Sequence, residues 1–409
     1  MGPALEGVDL ATVDPFAPEF RADPYPLYNL LRTNDPIHWG DYSWILTRYA
    51  DCEAILRDHR WSSNSAHARN PRPLDEQSVR ESMTTLDFPI LLFMDPPDHT
   101  RLRRLVSKAF TPRSVERLRP RIQSLVDGML DEAAERGGME VIGDLAYPLP
   151  VTVICELLGV PAEDQHLFGP WSSDASRLLD DEIDEDTVQH GLVSVMQLLN
   201  YFNELFDERR AEPRDDLLSA LLAAEEEGDK LSETELRSIT LLLFIAGHET
   251  TMNLIGNGML ALLRNRSQFD LLSADPSLAA GAVEELLRFD GPVHLTGRVP
   301  LEDIEVGGHL FEAGDQVVTL VAAANRDPAR FDSPDELDIR RTDNHHLTFS
   351  QGIHYCLGAA LARVEGQVTL ASLAQRFPNV ELETTDPRYR DHFVLRGLRE
   401  LRIALPAPT

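Results

Sequence analysis

Read for the spacing of its apolar and polar positions, the chain is mostly helical with minor β-structure. A helix starts over Pro24–Arg32. The alternating runs Pro36–Trp39 and Ser43–Arg48, joined by Gly40-Asp41, then predict a hairpin. From Val79 to Met94 the pattern is irregular, and Asp95-Pro-Pro-Asp98 caps a new helix over His99–Phe110. Helical spacing continues through Pro120–Asp131, Val151–Leu158 and, after an acidic connection at Asp180–Glu185, Val188–Glu208. Beyond a loop at Glu225–Asp229, the capping box Ser232-x-x-Glu235 opens a long helix to about Arg264. A further helix holds Ala282–Phe289, and Val293–Arg298 is strand-like. Ile304–Phe311 is a hairpin turning at Gly307-Gly308, Gln316–Ala324 is strand or helix, and Phe331–Arg341 meanders. A last helix ends at Phe377, and Val380–Leu382 with Leu401–Ile403 closes a small sheet.

The 409 residues show no internal repeat and no composition break, so one domain over residues 21–409 is expected behind an arm of residues 1–20. A formal charge of -30 argues against nucleic acid or an anionic membrane as partner. The N-terminus lacks a basic region followed by an apolar run, and the run Leu241–Gly247 is too short to span a bilayer. The three cysteines, Cys52, Cys155 and Cys356, have neither zinc-type spacing nor a CxxC pair, which fits a reducing cytoplasm. Cys52 and Cys155 lie in apolar helical contexts and read as core residues.

Cys356 is different. It stands between Gly352 and Gly358 in Phe349-Ser-Gln-Gly-Ile-His354-Tyr-Cys356-Leu-Gly, at the mouth of an apolar helix. Unpaired amides and the positive dipole end there favour a thiolate, and the glycines admit a flat, bulky group. Inside the long helix, Ala246-Gly247-His248-Glu249-Thr250-Thr251 is unusual for a buried element. Gly247 weakens the helix, and Thr250 can bond the Ala246 carbonyl four residues back, bending the helix and opening a groove. In the helix after Asp98, His99 and Arg103 share one face, while Arg101, Arg104 and Lys108 fall opposite. Glu285 and Arg288, three apart, share another helical face.

Together, and in this order, these motifs resemble the cytochrome P450 family, the heme-thiolate monooxygenases of the soluble bacterial type. Phe-x-x-Gly-x-His-x-Cys-x-Gly is the specific signature, and the resemblance spans nearly the whole chain. It implies a mainly α fold with small β-sheets, a single triangular-prism domain. Its cofactor would be heme b, iron protoporphyrin IX, ligated by Cys356, with Phe349 packed beside the sulfur. His99, Arg103, Arg298 and His354 match the positions that hold the propionates. Ala246 and Gly247 match the groove over the heme, and Glu249-Thr250 match an acid-alcohol proton relay. Glu285 and Arg288 would buttress the cysteine loop. The family's further arginine is replaced by Glu336, leaving Arg340 or Arg341 to substitute.

The same resemblance places the substrate pocket at Ile90, Leu91, Leu92 and Phe93, Ile245 and Ala246, Val293, His294 and Leu295, and Phe393, Val394 and Leu395. These are predominantly apolar, with His294 either a polar anchor or plain wall. The implied activity inserts one atom of dioxygen into a lipophilic molecule by hydroxylation or epoxidation. Bacterial macrolide- and natural-product-tailoring enzymes are the most similar kind. The chain has no flavin or ferredoxin domain and no Rossmann fingerprint, so electrons are expected from outside, and the resemblance implies NAD(P)H acting through a ferredoxin and its reductase. That ferredoxin would dock at Arg101, Arg104, Lys108 and Arg363. A heme-binding sensor or silent homologue would need Cys356 but not Glu249-Thr250. A thiol hydrolase using Cys356 and His354 lacks an oxyanion partner.

Overall fold

The capping box at Ser232 forms as expected. Its hydroxyl accepts from the Glu235 amide at 3.2 Å, and the Glu235 carboxylate accepts from the Ser232 amide at 2.8 Å. Two donors that a helix start would leave unpaired are thereby satisfied, and the helix runs unbroken from Glu233 to Arg264. The structure, a computed structural model, describes residues 20–40, 42–69, 90–109, 111–179, 185–226, 229–390 and 394–406, with single positions 9, 17 and 392. The arm at residues 1–20 lies almost wholly outside the described residues.

The principal helices are α1 (Tyr25–Asn34), α2 (Tyr49–Arg57), α3 (Asp98–Ala109), α4 (Arg119–Arg136), α5 (Pro148–Leu158) and α6 (Gln165–Ser176). They continue as α7 (Glu185–Ala211), α8 (Glu233–Arg264), α9 (Arg266–Ala274), α10 (Ala279–Asp290) and α11 (Ala359–Arg376). α8 packs against α5, α6, α7, α10 and α11. Its length and composition would suit a membrane span, but 67% of its most apolar window is buried inside the protein, so it is a core helix. Phe244 shows why its neighbours hold: its ring lies 4.9 Å from Phe168 of α6 and 6.1 Å from Phe202 of α7. Burying each such ring stabilises the fold by roughly 1.5–3 kcal/mol.

The strands used here are β1 (Ile37–Trp39), β2 (Trp44–Leu46), β3 (Trp61–Ser62), β4 (Gly138–Glu140), β5 (Thr296–Pro300), β6 (Ile304–Val306), β7 (His309–Phe311), β8 (Val317–Thr319), β9 (Glu381–Leu382) and β10 (Arg402–Ala404). One sheet has the order β1-β2-β8-β5-β3, in which β2 and β8 run parallel and the other pairs antiparallel. A second has the order β9-β10-β4, and β6-β7 is the expected hairpin, turning through Gly307 (φ 62) and Gly308 (φ 84). The segment after Gln316 is both things the pattern allowed: strand β8, then a helical turn at Val321–Ala324. The loop at Glu225–Asp229 contains a two-residue pairing, Glu225–Glu226 with Asp229–Lys230. β4 has no alternating run to announce it, because its three residues are fixed only by pairing with distant β10. Cys52 and Cys155 are fully buried core residues.

Two buried polar assemblies tie the layers together. Arg288 of α10 donates to both oxygens of Glu285 at 2.8 Å, with both side chains fully buried. Arg341 donates to the same carboxylate at 3.1 and 3.2 Å, and so do the Asp338 amide at 3.0 Å and Asn344 at 3.1 Å. Arg341, not Arg340, therefore completes the Glu-Arg-Arg network. In the second assembly, Asp290 accepts from Tyr25 at 2.6 Å and from Arg396 at 2.8 Å. His294 packs beside it with Nδ1 3.3 Å from the Tyr28 hydroxyl, and burial together with the Arg396 charge drives its pKa down to about 3.

Removing Arg341 leaves a buried carboxylate short of donors, so Arg341→Ala should lose about 1–3 kcal/mol in urea denaturation, whereas Arg340→Ala should stay within about 0.5 kcal/mol of the parent. An unfolded histidine takes up its proton near pH ~6.5. Folded His294 resists protonation down to about 3. Its contribution is therefore a loss of stability as pH falls below about 6.5. His294→Leu should flatten the stability–pH slope between about pH 6.5 and 4 by up to one proton, measured by denaturation across that window.

Candidate functional site

The loop from Phe349 to Gly358 makes its turn through two left-handed residues, Ser350 (φ 59) and Gly352 (φ 65). The turn brings the Cys356 amide to the Phe349 carbonyl at 2.8 Å, and α11 begins three residues later at Ala359. Gly352 serves the fold as well as the turn, since a Cβ there would lie 2.7 Å from the Leu56 carbonyl of α2. The close approach expected at this glycine is made by α2. A Cβ at Gly358 would sit 4.0 Å from the Cys356 sulfur, an ordinary contact.

Phe349 is almost fully buried beneath Arg363, whose guanidinium carbon lies 4.6 Å from the ring centre, and beside His346 at 5.6 Å. Arg363 is itself held by Glu284 at 2.6 and 2.9 Å. Burial pushes the Glu284 carboxyl up, but hydrogen bonds and charge from His346 and Arg363 outweigh it and bring the pKa down to about 2. At Cys356 the balance goes the other way. Burial raises the thiol, and the Gly358 and Ala359 amides and the charges of Arg103 and Arg363 offset it only in part. The helix start therefore does not by itself favour a thiolate here, because desolvation is the larger effect; a cation bound to the sulfur would reverse the order.

Four basic side chains from three segments meet beside this loop. His99 of α3 is buried, its ring 4.3 Å from that of His354. Arg103, one turn along α3, reaches the Tyr355 carbonyl at 2.5 Å. Arg298 of β5 is buried, bonds the Thr296 hydroxyl at 3.0 Å and the Gly297 carbonyl at 2.7 Å, and is lowered to about 10 by burial, with Asp95 opposing. His354 is lowered to about 3 by burial and then by the neighbouring Arg298, His99 and Arg103. Both ring nitrogens of His99 and Nε2 of His354 are buried without a protein partner. Buried donors of one sign with unmet hydrogen bonds suit a dianionic group, and this is the charge that two propionates carry.

The Ala246–Thr251 stretch does not break α8. His248 Nδ1 lies 2.8 Å from the Phe244 carbonyl, Thr250 donates to the Ala246 carbonyl at 3.0 Å, and Thr251 to the Gly247 carbonyl at 3.4 Å. The expected Thr250 bond is present, yet the helix stays α-helical throughout. Gly247 faces α5, where a Cβ would meet Ile154 at 3.3 Å, so its smallness serves helix packing. Ala246 is exposed between buried turns of α8, and Ile245 and Thr250 are half-buried, so the helix borders an open cleft on this side. Glu249 points elsewhere: it is 2% exposed and ion-paired to Arg390 at 2.8 Å.

Of the residues expected to line a pocket, Leu92 and Phe93 are exposed in the turn Leu91–Phe93, which packs against α8 and α3. Ile90, Val293 and Val394 are half-buried. Leu91 and Leu295 turn into the core, and His294, expected as polar anchor or plain wall, is buried with its Nδ1 facing the Tyr28 hydroxyl. Phe393 lies outside the described residues. The pattern of the chain gave no sign of Arg390, Glu284 or His346, whose partners are more than 60 positions away in sequence.

The sequence profile of the family described as Cytochrome P450 matches residues 184–275 and 277–404. The chain is 42% identical over 400 residues to the vitamin D(3) 25-hydroxylase of Pseudonocardia autotrophica, covering 96% of each chain. It is 40% identical over 390 residues to the biotin biosynthesis cytochrome P450 of Bacillus subtilis, covering 94% of this chain and 97% of that one. Among solved structures, the cytochrome P450 PksS of the Bacillus subtilis bacillaene polyketide synthase superimposes with a TM-score of 0.88 at 38% identity, covering 97% of this chain and 100% of that one. A cluster of two arginines and two imidazoles beside a glycine-flanked cysteine, a cleft-lining long helix and near-complete coverage of these relatives lead to one conclusion: the chain belongs to the cytochrome P450 family and is a monooxygenase that uses heme b.

Proposed function

We propose that this monooxygenase oxidises a lipophilic natural product of the macrolide or polyketide kind, by hydroxylation or epoxidation, in the cytoplasm and with electrons from a ferredoxin and its NAD(P)H-dependent reductase. The observation that carries the reading is the cluster of Arg103, Arg298, His99 and His354 beside Cys356, whose two imidazoles have buried nitrogens without a protein partner. The apolar character of Leu92, Phe93, Ile245 and Ala246 along the cleft supports a lipophilic substrate. The names of relatives support the class: one is a polyketide biosynthesis cytochrome P450, another a 6-deoxyerythronolide B hydroxylase.

In this reading Cys356 is the iron ligand, and Phe349, clamped by Arg363 and His346, shields the sulfur from water. His99, Arg103, Arg298 and His354 would hold the propionates. When bound, the heme supplies an iron centre that activates dioxygen at the expense of two electrons and two protons. The Thr250 hydroxyl, already donating to the Ala246 carbonyl, keeps its lone pairs available to accept a proton at the cleft edge, and Glu249 is the acid that brings protons from outside. Glu285, Arg288 and Arg341 hold the meander that leads into the cysteine loop. For the ferredoxin, Arg101, Arg104, Lys108 and Arg363 remain the docking cations, although Arg101 is already bonded to Glu235 and Arg363 to Glu284. Lys108's side chain lies outside the described residues.

In the intact protein, the ferrous carbon monoxide spectrum should show the band of thiolate ligation; a histidine-type band would overturn Cys356 as ligand. Arg298→Leu should speed heme transfer to apomyoglobin by at least about 10-fold, since one charge-assisted contact is lost. With a surrogate ferredoxin pair, Thr250→Ala should raise the share of electrons released as hydrogen peroxide several-fold; an unchanged share would remove Thr250 from the relay.

A further inference from the structure

Glu249, Asn253 and Asn257 stand one turn apart on α8 and share a face. All three hold the same stretch of C-terminal chain. Glu249 is paired with Arg390 at 2.8 Å, and Asn257 donates to the Arg396 carbonyl at 3.0 Å. Asn253 lies so close to Gly397 that a Cβ there would fall 1.9 Å from its side-chain oxygen, so only glycine lets the backbone settle. The stretch folds back on itself, with the Arg390 amide donating to the Gly397 carbonyl at 2.9 Å. At its far end the Val394 carbonyl accepts from the His294 amide at 3.0 Å. Arg390, Arg396 and Gly397 are thus held to α8, and Val394 between them is half-buried, packed beside Leu295 where the pocket wall is expected.

Arg390 is the charged member of the clamp. It is 23% exposed at the side chain, whereas its partner Glu249 is 3% exposed, so the arginine stands between a buried acid and solvent. Its second nitrogen lies 3.5 Å from the Met252 sulfur, which fixes the guanidinium against the helix. Arg390 also lines a cavity of about 30 Å³, bordered by Tyr28, His294, His392 and Arg396, with room for at least one water. The two residues of the expected relay therefore have different partners: the Thr250 hydroxyl its own helix, the Glu249 carboxylate the loop. To hand a proton toward Thr250, Glu249 has to loosen from Arg390.

We propose that Arg390 is the positioning residue of Glu249, and that the loop 390–397, by carrying both Arg390 and Val394, couples the orientation of the acid to occupancy of the pocket. The proposal rests on the reading of Glu249 and Thr250 as a proton relay. Its proton balance is simple: Glu249 takes one proton from the outer side, Thr250 accepts it while releasing its own hydroxyl proton into the cleft, and both groups return to their starting states. A ligand that displaces Val394 shifts the Arg390–Glu249 pair, and by linkage a change at Arg390 must alter ligand affinity.

The test compares the holoenzyme with Arg390→Gln, Arg390→Lys, Glu249→Gln and the Arg390→Gln/Glu249→Gln double variant. One readout is the share of NADH electrons released as hydrogen peroxide, in H2O and in D2O, with a surrogate ferredoxin pair. The other is the Kd of 4-phenylimidazole, an iron-ligating probe of the cleft, from its spectral shift. Glu249→Gln should raise the peroxide share and the solvent isotope effect. Arg390→Gln should move both in the same direction, the double variant should add nothing further, and Arg390→Lys should recover part of the loss. Arg390→Gln should also shift the probe's Kd by at least about 3-fold. If Glu249→Gln behaves as the parent, the relay reading fails and the proposal with it. If Glu249→Gln is impaired but Arg390→Gln is not, or if the two effects add independently, the relay stands and the role of Arg390 falls. An unchanged Kd in Arg390→Gln overturns the coupling to the pocket. Should Arg390→Gln fail to retain heme, Arg390→Lys carries the same comparisons, because it keeps the charge and loses the planar fork.

Discussion

A carboxylate buried without water has either to lose its charge or to be surrounded by donors, and at Glu285 this requirement organises the proximal half of the molecule. Arg288, Arg341, Asn344 and the Asp338 amide all converge on its two oxygens. Arg288 at the same time caps the carbonyls of Asn325, Pro334 and Glu336. A stretch of irregular chain from Asp332 to Asn344, with no helix or strand of its own, is thereby given a fixed course. It delivers His346, Phe349 and Cys356 to their places.

The site that results is held by charges of opposite function on its two sides. Over Phe349, Arg363 is neutralised by Glu284, whose carboxylate also faces His346, so that side is electrically quiet. Around His99, Arg103, Arg298 and His354, two guanidiniums and two imidazoles are gathered, and burial lowers the affinity of each for its proton. Such a gathering costs folding energy and is recovered when a dianionic ligand binds, which is how a protein links cofactor binding to stability. The acid on α8 sits in a third setting, neither quiet nor unpaired, with its bond to Arg390 directed at a loop and not at the cleft.

What was legible in the sequence were the features set by neighbours a few residues apart. The Ser232 capping box, the Thr250 bond to Ala246, the shared face of His99 and Arg103, the Gly307-Gly308 hairpin and the Cys356 signature all depend on local spacing, and the structure has each of them. That the chain is mostly helical with minor β-structure followed from the same periodicity, and the fold itself from the resemblance carried by these motifs. Where expectation and structure part, a distant segment decides. Gly352 is occupied by α2, Gly247 by Ile154, and Cys356 is desolvated by surroundings that no helix wheel displays.

The choice of Arg341 over Arg340 makes the point in one pair. Both are arginines, adjacent, at the end of the same meander, and nothing in the spacing separates them. Only when the chain is folded does one guanidinium reach Glu285, 56 positions earlier, while the other stays in solvent. Arg390 and Glu249, 141 positions apart, are the same case at the distal side. The sequence by itself determined which elements form and which chemical groups are carried into the site, because helix spacing, caps and turns act through covalently near neighbours. The tertiary structure alone decided which of those groups are paired, buried or left to bind a cofactor, because desolvation and ion pairing depend on distance in space.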